Sequence, residues 1–266
     1  MSFSPYSFAS FFVIFVGYIL KSFTLQYFFY FCTDSYLIRN YYGVMRKKNA
    51  ENNITPSEEF SKKRGRLWGW PLISKKSNRG PYHRFITAWN LLIASLFAFF
   101  VTEFGYRGFT CIRFDSIQEY GIYSAFLDFL KAFLHQSVIE YYWHRIMHLK
   151  FFYSTFHKIH HFYKSPEPWD DMYIHPLEAF GYYCILYSPP FVYSMHLYSF
   201  IFYMILMGLC GVLDHSGVIL VIPGVYSTVD HYFHHEKFNV NYSFPFPFMD
   251  IIHGTHYSYD ISIERT

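Results

Sequence analysis

Charge is scarce in this chain: Asp, Glu, Lys and Arg supply 15% of its 266 residues, against roughly 25% in an ordinary soluble domain. Cysteine is almost as thin. Cys32, Cys111, Cys184 and Cys210 show no C-x-x-C spacing and sit mostly inside apolar runs. That pattern argues against a disulfide framework or a cysteine-held zinc and for buried free thiols. No H-E-x-x-H occurs, which removes the simplest metalloprotease reading. No cationic side chain precedes Lys21. The first apolar run therefore lacks the basic region of a cleavable signal peptide and reads as a signal anchor or first membrane helix.

What is abundant is aromatic: 33 Phe and 27 Tyr, gathered in long apolar runs that suit membrane burial better than one large core. Residues 8–31 are almost continuously apolar, with Lys21, Ser22, Thr24 and Gln26 as the main interruption, enough for a span of about 20 residues, with Lys21 required to snorkel unless the segment is bent or interfacial. Residues 43–84 hold 11 of the 22 Lys+Arg and only Glu51, Glu58 and Glu59 as acids. The positive-inside rule places this basic loop in the cytosol, where it reads as facing anionic lipid rather than nucleic acid. A second span is expected over 86–104. A third is expected over 118–137, continuing as a helix to Leu149, with Asp128, Lys131 and His135 as a polar stripe facing the bundle interior. The apolar block 177–213, broken at Pro189 and Pro190, is long enough for a two-span hairpin, leaving His196 at the lumenal turn. The expected architecture is an all-α integral membrane protein of four to five transmembrane helices, with residues 1–120 supplying N-terminal spans. In this topology the basic loop and every histidine group fall on one side.

Histidine carries the chemistry. His144 and His148 form H-x-x-x-H, and His157, His160, His161 and again His231, His234, His235 form H-x-x-H-H. Residues three and four apart share a helix face, so each group is expected to point its imidazoles at one spot. Imidazole suits Zn, Cu, Fe and Ni alike. A zinc site usually takes four ligands, so eight nitrogens imply two metals.

The motifs also occur in a telling order: His144-Arg-Ile-Met-His148, Phe156-His157-Lys-Ile-His160-His161, His175-Pro-Leu-Glu178, Asp214-His215-Ser-Gly217, His231-x-x-His234-His235 and Asp250-x-x-x-Gly254-Thr255. Together they resemble the fatty acid hydroxylase / sterol desaturase superfamily over about residues 125–257. The resemblance implies a membrane di-iron oxygenase of lipid metabolism in the endoplasmic reticulum. Its catalytic domain would span 121–266, its histidines would face the cytosol, and it would use O2 with electrons from NAD(P)H through cytochrome b5. The implied iron ligands are His144, His148, His157, His160, His161, His231, His234 and His235, with His215 and His175 as further candidates. The substrate would be a sterol or other long-chain lipid, hydroxylated or desaturated. Sphingoid-base and fatty-acyl hydroxylation are the alternatives within the superfamily. No haem-binding cytochrome b5 domain is fused here, so the electron donor is expected to be a partner, with the basic loop as its docking surface.

Glu140, Asp214 and Asp230 lie beside the ligands or one turn away and are expected to orient their rings. His83, His135 and His196 read as ordinary structural histidines, and His253 and His256, close after the third group, as supports behind the ligands or surface residues. The rivals are a membrane cytochrome using paired histidines as axial ligands, a non-catalytic metal- or lipid-binding protein, and a zinc hydrolase; the last lacks an evident nucleophile or general base.

Overall fold

The computed structural model describes residues 3–34, 68–69, 79–163, 166–216 and 218–257. Most of the basic loop, including its Lys62, Lys63 and Arg64, lies outside the described residues.

Helix α1 (Pro5–Asp34) packs along α2 (Pro81–Tyr106), and small or polar residues make the seam. Ser4, Ser7 and Ser10 are buried on α1 and its approach, facing Ala94, Ser95, Ala98 and Thr102 of α2. Ser7 donates a 2.7 Å hydrogen bond to Glu103, and Thr102 donates to Ser10 at 2.9 Å. Large apolar side chains of the same helix, Phe8, Phe12, Val16 and Leu20, point outward. Small polar groups inside and bulky apolar groups outside invert a water-soluble helix, as expected where lipid is the solvent. Proline at the first position of α2, after Gly80, sets its start at no hydrogen-bonding cost.

Helix α3 (Ile122–Met147) is 26 residues long, about 39 Å at 1.5 Å per residue. It stops two residues before the expected end, so His148 is its C-cap rather than part of its last turn. Its inward polar members are Asp128, Gln136 and Glu140. Lys131 corrects the expected stripe: its side chain is 55% exposed and reaches back to Asp128 at 3.5 Å.

The apolar block 177–213 is not a symmetrical hairpin. Its first arm, α4 (Pro176–Leu186), has 11 residues, about 16 Å. The second, α5 (Leu197–Asp214), has 18. Pro189 and Pro190 cannot extend α4, since each lacks an amide hydrogen and restricts the residue before it. They start a separate turn, Pro189–Val192. The chain then forms a two-residue strand, Met195–His196, paired in parallel with Ile112–Arg113. Among the described residues three segments are long and apolar enough to cross a membrane, Pro5–Ser22, Pro81–Tyr106 and Leu197–Asp214; α3 is the fourth long helix.

The helices alternate in direction, which fixes two ends. At one end Ser4 meets Glu103, and His196 meets Asp128 and Asp115. At the other, Tyr18 meets Asp171, Asn90 holds the carbonyls of Met172 and Ile174, and Arg79 and His83 clasp Asp170. All three histidine groups fall at this second end, as do the chain ends that the basic segment joins. His196 lies at the first.

Candidate metal centre

The histidines arrive on short elements stacked on the ends of the long ones. His144 sits in the last turn of α3 and His148 caps it. His157, His160 and His161 lie on a 3-10 helix, His157–Phe162, not on an α-helix. His215 caps the end of α5. His231, His234 and His235 lie on α6 (Thr228–Lys237), started by the Ser227 hydroxyl accepting from the Val229 amide. α6 ends at Phe238 with φ 67°, a conformation costing an aromatic residue about 1–3 kcal/mol. That reversal brings the Val240 carbonyl back to accept from His234 Nδ1 at 2.7 Å.

Two groups result: His144, His148, His157, His161 and His234 in one, His160, His215, His231 and His235 in the other. Within each, the nitrogens lie within 4.8 Å of one another. Here the expectation of one spot per motif fails in an instructive way. Each H-x-x-H-H motif sends its i, i+4 pair to one group and its middle histidine to the other. His157 and His161 join the five-histidine group while His160 crosses over. His231 and His235 join the four-histidine group while His234 crosses back. The exchange ties the two groups into one unit. His175 stands outside both, its Nδ1 accepting from the Leu177 amide as the N-cap of α4.

The hydrogen bonds decide which nitrogen is free. Nδ1–H donates to the Tyr242 carbonyl from His144 (2.8 Å), to Val240 from His234 and to Gly211 from His215 (2.8 Å). His157 Nδ1 meets the Glu178 carboxylate at 2.5 Å. A carbonyl only accepts, so these rings carry their proton on Nδ1 and a bare lone pair on Nε2. The Nε2 atoms then face one another: His234 is 3.1 Å from both His148 and His161, His215 is 3.1 Å from His231, and His161 is 3.0 Å from His157. Each of these contacts sets a bare Nε2 lone pair against the Nε2 of another imidazole, and with all the rings turned to the tautomer that a metal requires the converging lone pairs are stabilised by a cation among them. Two nitrogens held at right angles about 2.1 Å from one metal would stand about 3 Å apart. The donor set therefore fits two metal ions. It does not suit haem, which takes two axial ligands on opposite sides of a ring.

Burial keeps these rings neutral, the state a metal requires. It holds His148, His160, His161, His231 and His235 below the ordinary histidine range, with neighbouring imidazoles adding to the effect. His234 is pushed down to about 3, again chiefly by burial.

The carboxylate hydrogen-bonded to a ring of these groups, among the described residues, is Glu178, in the third position of α4; Asp171 lies farther off, 3.5 Å from His215 Nδ1. The acids expected in that role bond elsewhere: Glu140 to Gln136, Asp214 to Tyr226 and Asp230 to His256. A second support had no expected role at all. Asp250 accepts from the Tyr242 and Ser243 amides at 2.9 and 2.7 Å, fixing the carbonyl that orients His144. The signal for Glu178 was present in the His175-Pro-Leu-Glu178 motif; that for Asp250 lay in Asp250-x-x-x-Gly254-Thr255, and only the folded loop shows its target.

A cavity of about 700 Å³ opens beside both groups, touching His144, His157, His160, His215 and His231. Its remaining walls are largely apolar and come from α1, α3, α4 and α5. Trp143 reaches it across Gly181, where a Cβ would lie 2.5 Å from the indole.

Residues 129–255 match the fatty acid hydroxylase family model. The chain is 28% identical over 137 residues to the Delta(7)-sterol 5(6)-desaturase ERG3A of Gibberella zeae, covering 51% of this chain and 39% of that one. It is 26% identical over 155 residues to human lathosterol oxidase, covering 56% and 52%. It is 32% identical over 143 residues to the very-long-chain aldehyde decarbonylase GL1-4 of Oryza sativa, covering 47% and 23%. The chain thus spans about half, or less, of the length of these relatives. No solved structure matches it.

Proposed function

From the match of residues 129–255 to the fatty acid hydroxylase family model we propose that the chain is a membrane-bound di-iron oxygenase that hydroxylates or desaturates a sterol or other long-chain lipid. The observation that carries the reading is the meeting of two histidine groups with an apolar cavity walled by membrane-type helices. His144, His148, His157, His161 and His234 would hold one iron and His160, His215, His231 and His235 the other. Bound there, the irons supply oxidation of a C–H bond by O2, with two electrons and two protons drawn from outside.

The remaining work belongs to the protein. Glu178 and the carbonyls of Tyr242, Val240 and Gly211 hold the Nδ1 protons, so each Nε2 is aimed before a metal arrives. The walls of α1, α4 and α5 exclude water and admit a hydrocarbon from the bilayer side. Residues 121–266 carry the catalytic apparatus in this reading, and residues 1–120 supply the spans that close the cavity. The names of the sterol-acting relatives favour a sterol. NAD(P)H would supply electrons through a cytochrome b5-type donor, with the histidine end in the cytosol and the spans in the endoplasmic reticulum membrane.

Metal analysis and an optical spectrum of the purified full chain test the proposal. About two irons per chain without a Soret band, together with O2-dependent oxidation of a lipid by chain supplied with reduced cytochrome b5, are expected. A Soret band would hand the histidines to haem and sink the reading.

A further inference from the structure

Lys21 has an unusual place for a cation. It stands at the histidine end of the apolar segment Pro5–Ser22 and lines the cavity. Its hydrogen-bond partner is one backbone carbonyl, Ile205, at 3.4 Å, for a group with three N–H donors. Ionisable side chains inside a membrane protein mark sites by default, and the partner is the question.

Asp171 supplies half of the answer. It also lines the cavity, accepts from the Tyr18 hydroxyl at 2.8 Å, and comes within 3.5 Å of His215 Nδ1. Both charges rest against the same face of α5. A Cβ on Gly208 would lie 3.2 Å from Lys21 Nζ, and one on Gly211 would lie 2.8 Å from Asp171 Oδ1. Those glycines are three residues apart on one face of α5, so the two charges are neighbours on that face. They form no direct ion pair among the described residues. A single hydroxyl oxygen placed between them would take a hydrogen bond of about 2.8 Å on each side.

On the oxygenase reading above, we propose that Lys21 and Asp171 form the polar anchor of the substrate cavity and take the hydroxyl group of a lipid alcohol. The alcohol oxygen accepts from the ammonium of Lys21, and its proton is donated to the carboxylate of Asp171. A ketone or ether satisfies only the first contact. A fatty-acid carboxylate meets repulsion from Asp171. The anchor also fixes where oxidation falls. Asp171 lies against His215, a member of the four-histidine group, so the carbon attacked lies near the hydroxyl-bearing carbon, not at the far end of the hydrocarbon. Lys21 and Tyr18 belong to α1, outside the matched domain of residues 129–255, so substrate choice is shared with a segment that carries no metal ligand.

Binding is the test, because it is independent of turnover. The full chain in nanodiscs is titrated with cholestanol, cholestanol 3-methyl ether and palmitate, following intrinsic tryptophan fluorescence, to which Trp143 in the cavity wall contributes, with iron content measured on each sample. Cholestanol is expected to bind about tenfold to a hundredfold more tightly than its ether, the worth of a hydrogen bond to a charged group. Lys21→Met should cut that preference to under about threefold with iron unchanged. Equal binding of alcohol and ether by the unaltered chain, tightest binding of palmitate, or an undiminished preference in Lys21→Met overturns the proposal. The two readings separate cleanly: two irons without an alcohol preference sinks the anchor alone, whereas a preference in a chain that binds no iron sinks the oxygenase alone.

Discussion

Histidines at the two ends of the bundle are buried or half-buried at both and differently employed. At the far end His135 meets Tyr193 through Nδ1 at 3.1 Å and Ser188 through Nε2 at 2.8 Å. His196 accepts from the Tyr198 amide with Nδ1 and donates to the Asp115 carbonyl with Nε2. Both nitrogens of each ring are satisfied by partners that want the bond. At the other end, Nδ1 is satisfied in the same way on four rings, but Nε2 is aimed at other imidazoles. A structural histidine closes its account within the protein; these leave a lone pair pointing into a cluster of rings that can hold a cation. The number of histidines does not make the distinction. The destination of the second nitrogen does.

Removing a crossing histidine should break the comparison most severely. His160→Ala or His234→Ala takes a ligand from one group and loosens the motif that feeds the other, so metal content should fall from about two per chain to one or fewer. Lipid oxidation should drop by more than about 100-fold, beyond the 10–100-fold typical of losing a ring-orienting partner. Elemental analysis and product formation read both. Glu178→Gln sits one step below. It keeps the shape but weakens the hold on the His157 Nδ1 proton, and a loss of about 10–100-fold in metal affinity or activity is expected, by competition with a chelator.

Acid should separate the ends without mutation. In the metal-free chain His234 titrates at about 3 when folded, against about 6.5 when unfolded. The unfolded state therefore binds more protons between those values. Stability should be intact above about pH 6.5 and fall progressively as pH drops toward 3. Melting temperature against pH checks this, and bound metal should hold the curve flatter over the upper part of the range. The smallest effect belongs to the far end: His196→Ala should cost about 1–3 kcal/mol of stability by leaving buried partners unsatisfied, with metal content unchanged. Loss of metal there would show that the two ends are not separable in the way the contacts imply.

Much of the molecule was legible early. Long apolar runs gave α1, α2 and α5 because a membrane span needs length and little else. Eight histidines in three spaced groups, with His215 in its own motif, pointed to two metals because that many neutral nitrogens exceed one site. The failures have local causes. Two prolines shortened α4, which hydropathy could not weigh against the apolar residues around them. Lys131 turned outward because it lies three residues from Asp128 and reaches that acid from the surface side. Glu178, rather than Glu140, Asp214 or Asp230, came to hold a histidine because distance along the chain does not say which helix folds back.

The sequence by itself determined the solvent, the residue type of the centre and the side of the bundle on which it sits, since apolar length, charge asymmetry and histidine spacing are all local properties. Only the tertiary structure decided how the nine rings divide. His160 and His234 cross between groups because a 3-10 turn and a short α-helix meet face to face, and no periodicity read along one chain describes that meeting. The same holds for Lys21, a flaw in a span when read alone. Packed against Gly208, it becomes a charge facing Asp171, because the glycine's missing side chain leaves room for it beside α5.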